Sequence, residues 1–261
     1  MESLPAIVAL SRKTESIRAS LGLPFRRAVI SYPKSGRTWL RVMLDELGVG
    51  ARYTHAGAGH NARRPISELT VDHKFKRGVL LLRDPRDTVV SGFHQATKRI
   101  LRCDGAISDF IRDPCHGIEK CARFNLMWHE RARSANNMLI TSYEALHRDA
   151  VGELRRITDF FGQRQSQARI EETVQRNSFE HMQRREGDGS YLRYGNILKP
   201  GNPRDINSYK VRRGKIGGYR DELSASDIDY CDSLLERLGY FEQVTEQPPS
   251  NGTASRSPQN S

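Results

Sequence analysis

Ala28-Val-Ile-Ser-Tyr-Pro-Lys-Ser-Gly-Arg-Thr-Trp39 reads as a short buried strand, a tight turn at Gly36 and a helix beginning near Thr38. Such a turn aims consecutive backbone N–H groups and the positive end of a helix dipole at one point, which makes an anion cradle. Lys34 adds a formal charge there, and Ser35 and Thr38 add hydroxyl donors. The lysine precedes the glycine, so this is not the Walker A order G-x-x-x-x-G-K-[ST]. By itself the pattern also suits an ordinary strand-to-helix turn.

A second segment has the same shape. Leu80-Leu-Leu-Arg-Asp-Pro-Arg-Asp-Thr-Val-Val-Ser91 runs from a buried strand into a helix capped by Asp84, with Pro85 in its first turn and an end near Leu101. Arg83 falls at the carboxyl end of its strand, the edge where open α/β sheets place ligands. Ser91 lies seven residues beyond the Asp84 cap, on the same helical face, so it can converge with Arg83 on one phosphate. Arginine supplies the planar donor fork suited to such an oxyanion.

Outward from these segments, Ala28–Ser31, Arg52–Thr54, Gly78–Leu82 and Met138–Thr141 are the expected strands, mostly continuous apolar runs of the kind buried on both faces of a parallel sheet. Helical stretches alternate with them. Trp39–Leu47 stops at Gly48, an apolar stripe of Leu154, Ile157, Phe160 and Phe161 precedes Gly162, and Ser224 caps a helix that ends at Gly239. This alternation gives an α/β fold with a central parallel sheet and helices on both faces. From Gln183 to Tyr219 periodicity fails. Arg204, Lys210, Arg212, Arg213 and Lys215 make that stretch the expected lid over an anion.

The chain of 261 residues suffices for one large domain, expected over residues 1–245, followed by a Pro/Ser/Asn-rich tail over 246–261 expected to be disordered. A formal net charge of +11 calls for an anionic partner without saying which. The longest apolar runs, Leu4–Leu10 and Val79–Leu82, fall far short of the roughly 20 residues of a membrane span. No basic n-region or small-residue cleavage pattern marks a secretory signal, so a cytoplasmic location is expected. Cys103, Cys115, Cys121 and Cys231 fit no common zinc spacing and read as free thiols, with no metal expected.

YPKSGRTW resembles the 5′-phosphosulfate-binding loop of the sulfotransferases that use 3′-phosphoadenosine 5′-phosphosulfate (PAPS), and LLRDPRDTVVSGFH resembles their 3′-phosphate-binding segment. ITSYEAL, NSFEHM and VRRGKIGGYRDELS follow in the family's order, the last resembling its R-K-G-x-x-G-D-W element. The resemblance runs from about Arg27 to Phe241. It implies a fold like that of the P-loop-containing nucleoside triphosphate hydrolases. It also implies sulfuryl transfer from PAPS to a hydroxyl or an amine of a small molecule, glycan or lipid, leaving 3′,5′-ADP (PAP). Lys34 would contact the bridging oxygen and stabilise the leaving group. Ser35, Gly36, Arg37 and Thr38 would hold the 5′-phosphate, and Trp39 would pack on the adenine beside Tyr143 and Phe179. Arg83, Ser91, Arg212, Arg213 and Gly214 would hold the 3′-phosphate. Arg37 departs from the small residue often found in this loop, and either faces solvent or reaches an acidic acceptor.

The family's base is a histidine in a K-x-H setting. Here the corresponding stretch is Ala51-Arg-Tyr-Thr-His55, with Tyr53 where lysine is frequent. His55 is the expected base, its ordinary pKa suiting abstraction of a hydroxyl proton near neutral pH, and His60 is the rival. His73, His94, His129 and His147 are read as surface residues. Ala56–Thr70 and Leu101–Cys121 are the loops expected to shape the acceptor pocket, and the oligomeric state is open, a homodimer included. Two other classes compete: a nucleotide kinase would also need a strand–loop–helix phosphate site, and a nucleic-acid-binding protein would account for the +11 charge, although the best basic residues sit at strand ends rather than along one stripe. A nucleotide kinase would show a Walker lysine and depend on Mg²⁺, and a nucleic-acid-binding protein would show a recognition helix, an RNP motif or a zinc finger. None of these is visible.

Overall fold

β1 (Phe25–Ile30), β2 (Arg52–Thr54), β3 (Phe75–Leu82) and β4 (Met138–Ser142) form a sheet in the order β2-β1-β3-β4, parallel throughout, in the computed structural model of the chain. The described residues are 10, 13–15, 17, 18, 20–58, 64–71, 74–100, 104–189 and 198–245. The expected strands are all present. β1 and β3 begin three residues earlier than their apolar runs, because Phe25 and Phe75 pair across the sheet before the buried segments start.

Both faces are covered, as parallel sheets require. Side chains alternate along a strand, so Val29, Val79 and Leu81 meet α1 (Arg37–Glu46), α6 (Ala150–Phe160) and α7 (Gln167–Arg176) through Leu40, Met43, Leu154, Ile157 and Ile170. Ala28, Ile30, Leu80 and Leu82 meet Cys121, Phe124 and Trp128 of α4 (Ile118–Arg133) on the other face. The Trp128 indole N–H would be an unpaired buried donor but for the Ala56 carbonyl, which accepts it at 2.9 Å.

A third apolar cluster joins α2 (Pro85–His94), α3 (Ile107–Arg112) and α4 to α9 (Ala225–Arg237) and α10 (Tyr240–Thr245), through Val89, Val90, Phe110, Ile118, Cys231, Leu234 and Leu235. This packing carries the basic stretch before α9 back over the strand ends. Asp84 caps α2 as expected, accepting the Arg86 N–H at 2.8 Å. The helix does not run on uniformly, however: its last turn widens into a π-helical turn at Gln95–Arg99. Between β4 and α6 lies the short α5 (Tyr143–Arg148).

The stretch 183–219 is less irregular than its composition suggested. Residues 183–187 complete α8 (Phe179–Gly187). Residues 198–219 are pinned by buried carboxylates. Glu186 accepts the Lys210 and Val211 N–H groups at 2.7 and 2.8 Å, and Asp87 accepts those of Gly217 and Tyr219 at 2.8 and 3.0 Å. Such anchoring has no periodicity for a sequence to reveal. Residues 190–197 and the tail over 246–261 lie outside the described residues.

Candidate active site

The turn between β1 and α1 is built from two left-handed residues, Lys34 (φ 72°) and Gly36 (φ 84°). Lys34 is the one non-glycine with positive φ among the described residues, a conformation that costs about 1–2 kcal/mol and is held by its surroundings. Gly36 is the N-cap of α1 and leaves the first turn without a capping side chain or an acidic residue. A Cβ there would lie 2.4 Å from Tyr143 Cδ2, so glycine is required by contact as well as by φ. The result is an open helix N-terminus beside a cation, with the Ser35 hydroxyl buried and unpartnered beneath it.

The Lys34 ammonium donates to Gln95 Oε1 at 3.2 Å. Burial, followed by Lys210, Arg99 and Arg83, holds its pKa well below the ordinary lysine value, and Glu186 offsets this only in part. A site that penalises its own cation in this way is poised for an anion.

Arg83 ties three segments together at the end of β3. Its Nη1 donates to the Lys34 carbonyl at 3.0 Å, its Nη2 reaches the Lys215 carbonyl at 3.5 Å, and the guanidinium lies 4.3 Å from the centroid of the Tyr143 ring. Its Nε is buried without a partner. Arg212 and Arg213 complete this side. Glu222 accepts from Arg212 Nη2 at 2.6 Å and from Arg213 Nη1 at 3.1 Å, and it also pairs with His94 Nε2. Burial pushes the Glu222 carboxyl up, but the hydrogen bonds from His94 and Arg212 outweigh it and bring the pKa to about 2. Gly214 (φ 62°) lies on the Phe179 ring, where a Cβ would come within 2.3 Å of Cδ2. Trp39 and Tyr143 stand edge to face with centroids 6.0 Å apart, and the Trp39 indole N–H donates to the Asn177 carbonyl at 2.8 Å.

His55 follows β2. Its Nδ1 lies 2.7 Å from the Ser31 carbonyl, and its Nε2 lies 2.8 Å from Arg37 Nη2. A guanidinium has only donors. Nε2 therefore accepts from Arg37, and Nδ1 carries the proton and donates to Ser31. Burial and then Arg37 lower the imidazole pKa to about 3, against the raising effect of the Ser31 bond. Burial and then Arg41 bring the Arg37 guanidinium down to about 10.

One cavity of about 600 Å³ unites these groups, within the range of small-molecule sites. Lys34, Gly36, Arg37, Thr38, Trp39, His55, Arg83, Ser91, Tyr143, Phe179, Arg212, Arg213 and Gly214 all line it; Ser35 sits beneath the wall. His60 and His73 lie outside the described residues. Two histidines depart from the surface reading: His129 is buried, and His94 is half-buried against Glu222. His147 is exposed but borders the cavity, 4.4 Å from Tyr143 between ring centroids. No described residue of 56–70 or 101–121 lines this cavity; Ala56, Ala58, Phe110, Ile111 and Ile118 pack into the core instead. Lys210, expected only as one basic residue of the lid, lines the cavity, and Gln95, Asp87 and Glu222 were missed. Gln95 was within reach of the sequence, four residues beyond Ser91 on one helix face; the others announce themselves only through their partners. Cys103 lies outside the described residues, and among those described no three potential metal ligands gather.

The sequence profile of the sulfotransferase domain matches residues 59–246. Among curated proteins, sulfotransferase 2A2 of Mus musculus is 21% identical over 248 residues, covering 80% of this chain and 82% of its own. Sulfotransferase 2A6 of the same species is 22% identical over 245 residues, with the same coverage. Among solved structures, mouse sulfotransferase SULT7A1 complexed with PAP superposes with a TM-score of 0.61 at 19% identity, covering 85% of each chain. Retinol dehydratase, in complex with androsterone and inactive cofactor PAP, gives a TM-score of 0.60 at 19% identity, covering 83% of this chain and 82% of that one. The strand-end cations and the aromatic wall thus stand on a shared fold, and the chain belongs to the sulfotransferase domain family.

Proposed function

We propose that this sulfotransferase uses PAPS as its sulfuryl donor, releases PAP, and sulfates a hydroxyl or an amine of a small molecule, glycan or lipid in the cytoplasm, acting through a single domain over residues 1–245. The carrying observation is the convergence of anion donors and aromatic rings on one cavity: Lys34, Gly36, Arg37 and Thr38 of the first turn line it together with Arg83, Ser91 and the Arg212–Gly214 segment, and so do Trp39, Tyr143 and Phe179. Those residues fit a nucleotide with phosphates at both its 5′ and 3′ positions: buried donors at Ser35 and Arg83 Nε lack partners, as an anion site's donors do. The solved relatives bind PAP, and free thiols at Cys115, Cys121 and Cys231 suit a reducing compartment.

PAPS supplies the sulfuryl group. The Lys34 ammonium meets the negative charge that grows on the departing phosphate oxygen, an interaction stronger in the transition state than before it. As the acceptor O–S bond forms and the S–O bond to the phosphate breaks, His55 Nε2 takes the acceptor proton, while the Nδ1–H bond to Ser31 holds the ring in the required tautomer. Arg83 positions the Lys34 backbone. The segment 198–219 covers the cavity and excludes water.

A thermal-shift titration with PAP, and with ATP with and without Mg²⁺, tests this. At a hundredfold excess over Kd, a ligand of the native state adds about 2.7 kcal/mol, or roughly 5–10 °C for a chain of this size. A Mg²⁺-independent shift with PAP exceeding that with ATP is expected. A shift with Mg·ATP alone would transfer the site to a kinase. Salt-sensitive duplex binding with no nucleotide shift would favour nucleic acid.

A further inference from the structure

Two cations, Arg37 and Lys210, line the cavity together with His55. Arg37 belongs to the β1–α1 turn, yet its guanidinium reaches to the end of β2, where Nη2 occupies the His55 Nε2 lone pair and Nη1 is buried without a hydrogen-bond partner. Arg41, Arg52 and Tyr53 are the charged and titratable groups around it. Lys210 enters the same cavity. Its backbone N–H is held by Glu186, while its ammonium has no hydrogen-bonding or ion-pairing partner among the described residues. Burial, then Arg99 and Arg37, pull that ammonium down to about 7.

Two consequences follow. An orphaned guanidinium N–H beside an unpaired ammonium in a sheltered wall is a receptor for an oxyanion. The base is also masked: no acceptor hydroxyl can donate to His55 Nε2 while Arg37 Nη2 fills it, and a pKa near 3 makes it a weak base in this state.

We propose that the acceptor is an anionic alcohol or phenol, and that its carboxylate, phosphate or sulfate group draws Arg37 off His55 Nε2, with Lys210 as the second contact, so that binding the correct acceptor unmasks the base. This rests on the sulfotransferase reading with His55 as base. Arg37 then serves as a positioning residue for His55 and as a specificity residue for the acceptor. A neutral acceptor leaves Arg37 on the imidazole and is handled poorly.

The test uses the full chain loaded with PAP or PAPS and two matched pairs of probes: 3-(4-hydroxyphenyl)propionate against its methyl ester, and glucose 6-phosphate against glucose. The pairs separate a carboxylate from a phosphate source. NMR titration of the histidine ring nitrogens, assigned with His55→Gln, follows the imidazole in the PAP complex, and sulfate transfer from PAPS gives kcat/KM. The charged member of at least one pair should raise the His55 pKa while its neutral partner does not. It should also be preferred roughly ten- to hundredfold in kcat/KM, the range of a charge-assisted hydrogen bond. Arg37→Ser should raise the His55 pKa toward the ordinary value of about 6.5 and erase the preference by more than it changes PAP affinity. Lys210→Gln should lose part of the preference with the His55 pKa still low.

The proposal is overturned if both pairs leave His55 and turnover undiscriminated while PAP binds. It is equally overturned if Arg37→Ser weakens PAP binding and leaves the preference intact, which would assign the arginine to the nucleotide. Absence of PAP binding by the unmodified chain would remove the sulfotransferase reading itself, and that outcome is distinct because it precedes any probe.

Discussion

Arg83 donates from Nη1 to the carbonyl oxygen of Lys34 at 3.0 Å, so the residue that follows β3 holds the backbone of the one non-glycine in left-handed conformation among the described residues. The Lys34 side chain is thereby turned to Gln95 and the cavity. In the proposed function Arg83 also meets the nucleotide's 3′-phosphate, so this bond would couple binding to chemistry.

Lys34→Ala is expected to reduce kcat by roughly a hundredfold or more, the scale of removing one donor aimed at developing charge. PAP affinity should change by much less, since Arg83, Ser91 and the backbone cradle remain. Single-turnover sulfate transfer and calorimetric titration of PAP separate the two. Equal losses in both would assign Lys34 to ground-state binding alone.

Gly214→Ala forces a methyl group to 2.3 Å from the Phe179 ring at a φ of 62°. The backbone strain alone is about 1–2 kcal/mol, and the ring must also move out of the cavity wall. The variant should melt earlier in urea and bind PAP more weakly than the unmodified chain. Unchanged PAP affinity would show that the Phe179 ring does not contact the adenine.

Glu222 has a folded pKa of about 2, below its ordinary value of 4.5, because the hydrogen bonds from His94 and Arg212 outweigh the raising effect of burial. A depressed carboxylate contributes stability that is fully present above the unfolded pKa and lost as pH falls through the folded one. The stability difference between the unmodified chain and Glu222→Gln should therefore be constant above about pH 4.5 and vanish toward pH 2. Its plateau should be about 1–3 kcal/mol after solvent screening. Denaturant melts across that window measure it.

Lys210 has a pKa of about 7 because burial, Arg99 and Arg37 outweigh the raising effect of Glu186. An anionic acceptor bound against it raises that value, so binding takes up protons. Affinity of the PAP complex for the charged probe should be greatest below about pH 7 and fall as pH rises through it. Calorimetry of probe binding in buffers of different ionisation enthalpy reads the proton uptake directly, and Lys210→Gln should reduce it.

The local parts of this protein were legible in its sequence. Strand, turn and helix from Ala28 to Trp39 are contiguous, and an apolar run, a glycine and a helix start suffice to specify a strand–turn–helix with an open helix N-terminus. The same holds for the Asp84-Pro85 cap and for Arg83 at a strand end. What the tertiary structure alone decided is how these pieces act on one another. The Lys34–Gln95 bond spans 61 positions and the Arg37–His55 contact 18, while the bond that anchors Gly217 of the segment 198–219 to Asp87 spans 130. Arg37 was ambiguous between solvent and acceptor, and Lys210 was one basic residue among several in an aperiodic stretch. Composition and period fix where the backbone turns and which face is buried. They carry no record of where a long cationic side chain ends, because that is set by the distant donors, acceptors and charges the fold places around it.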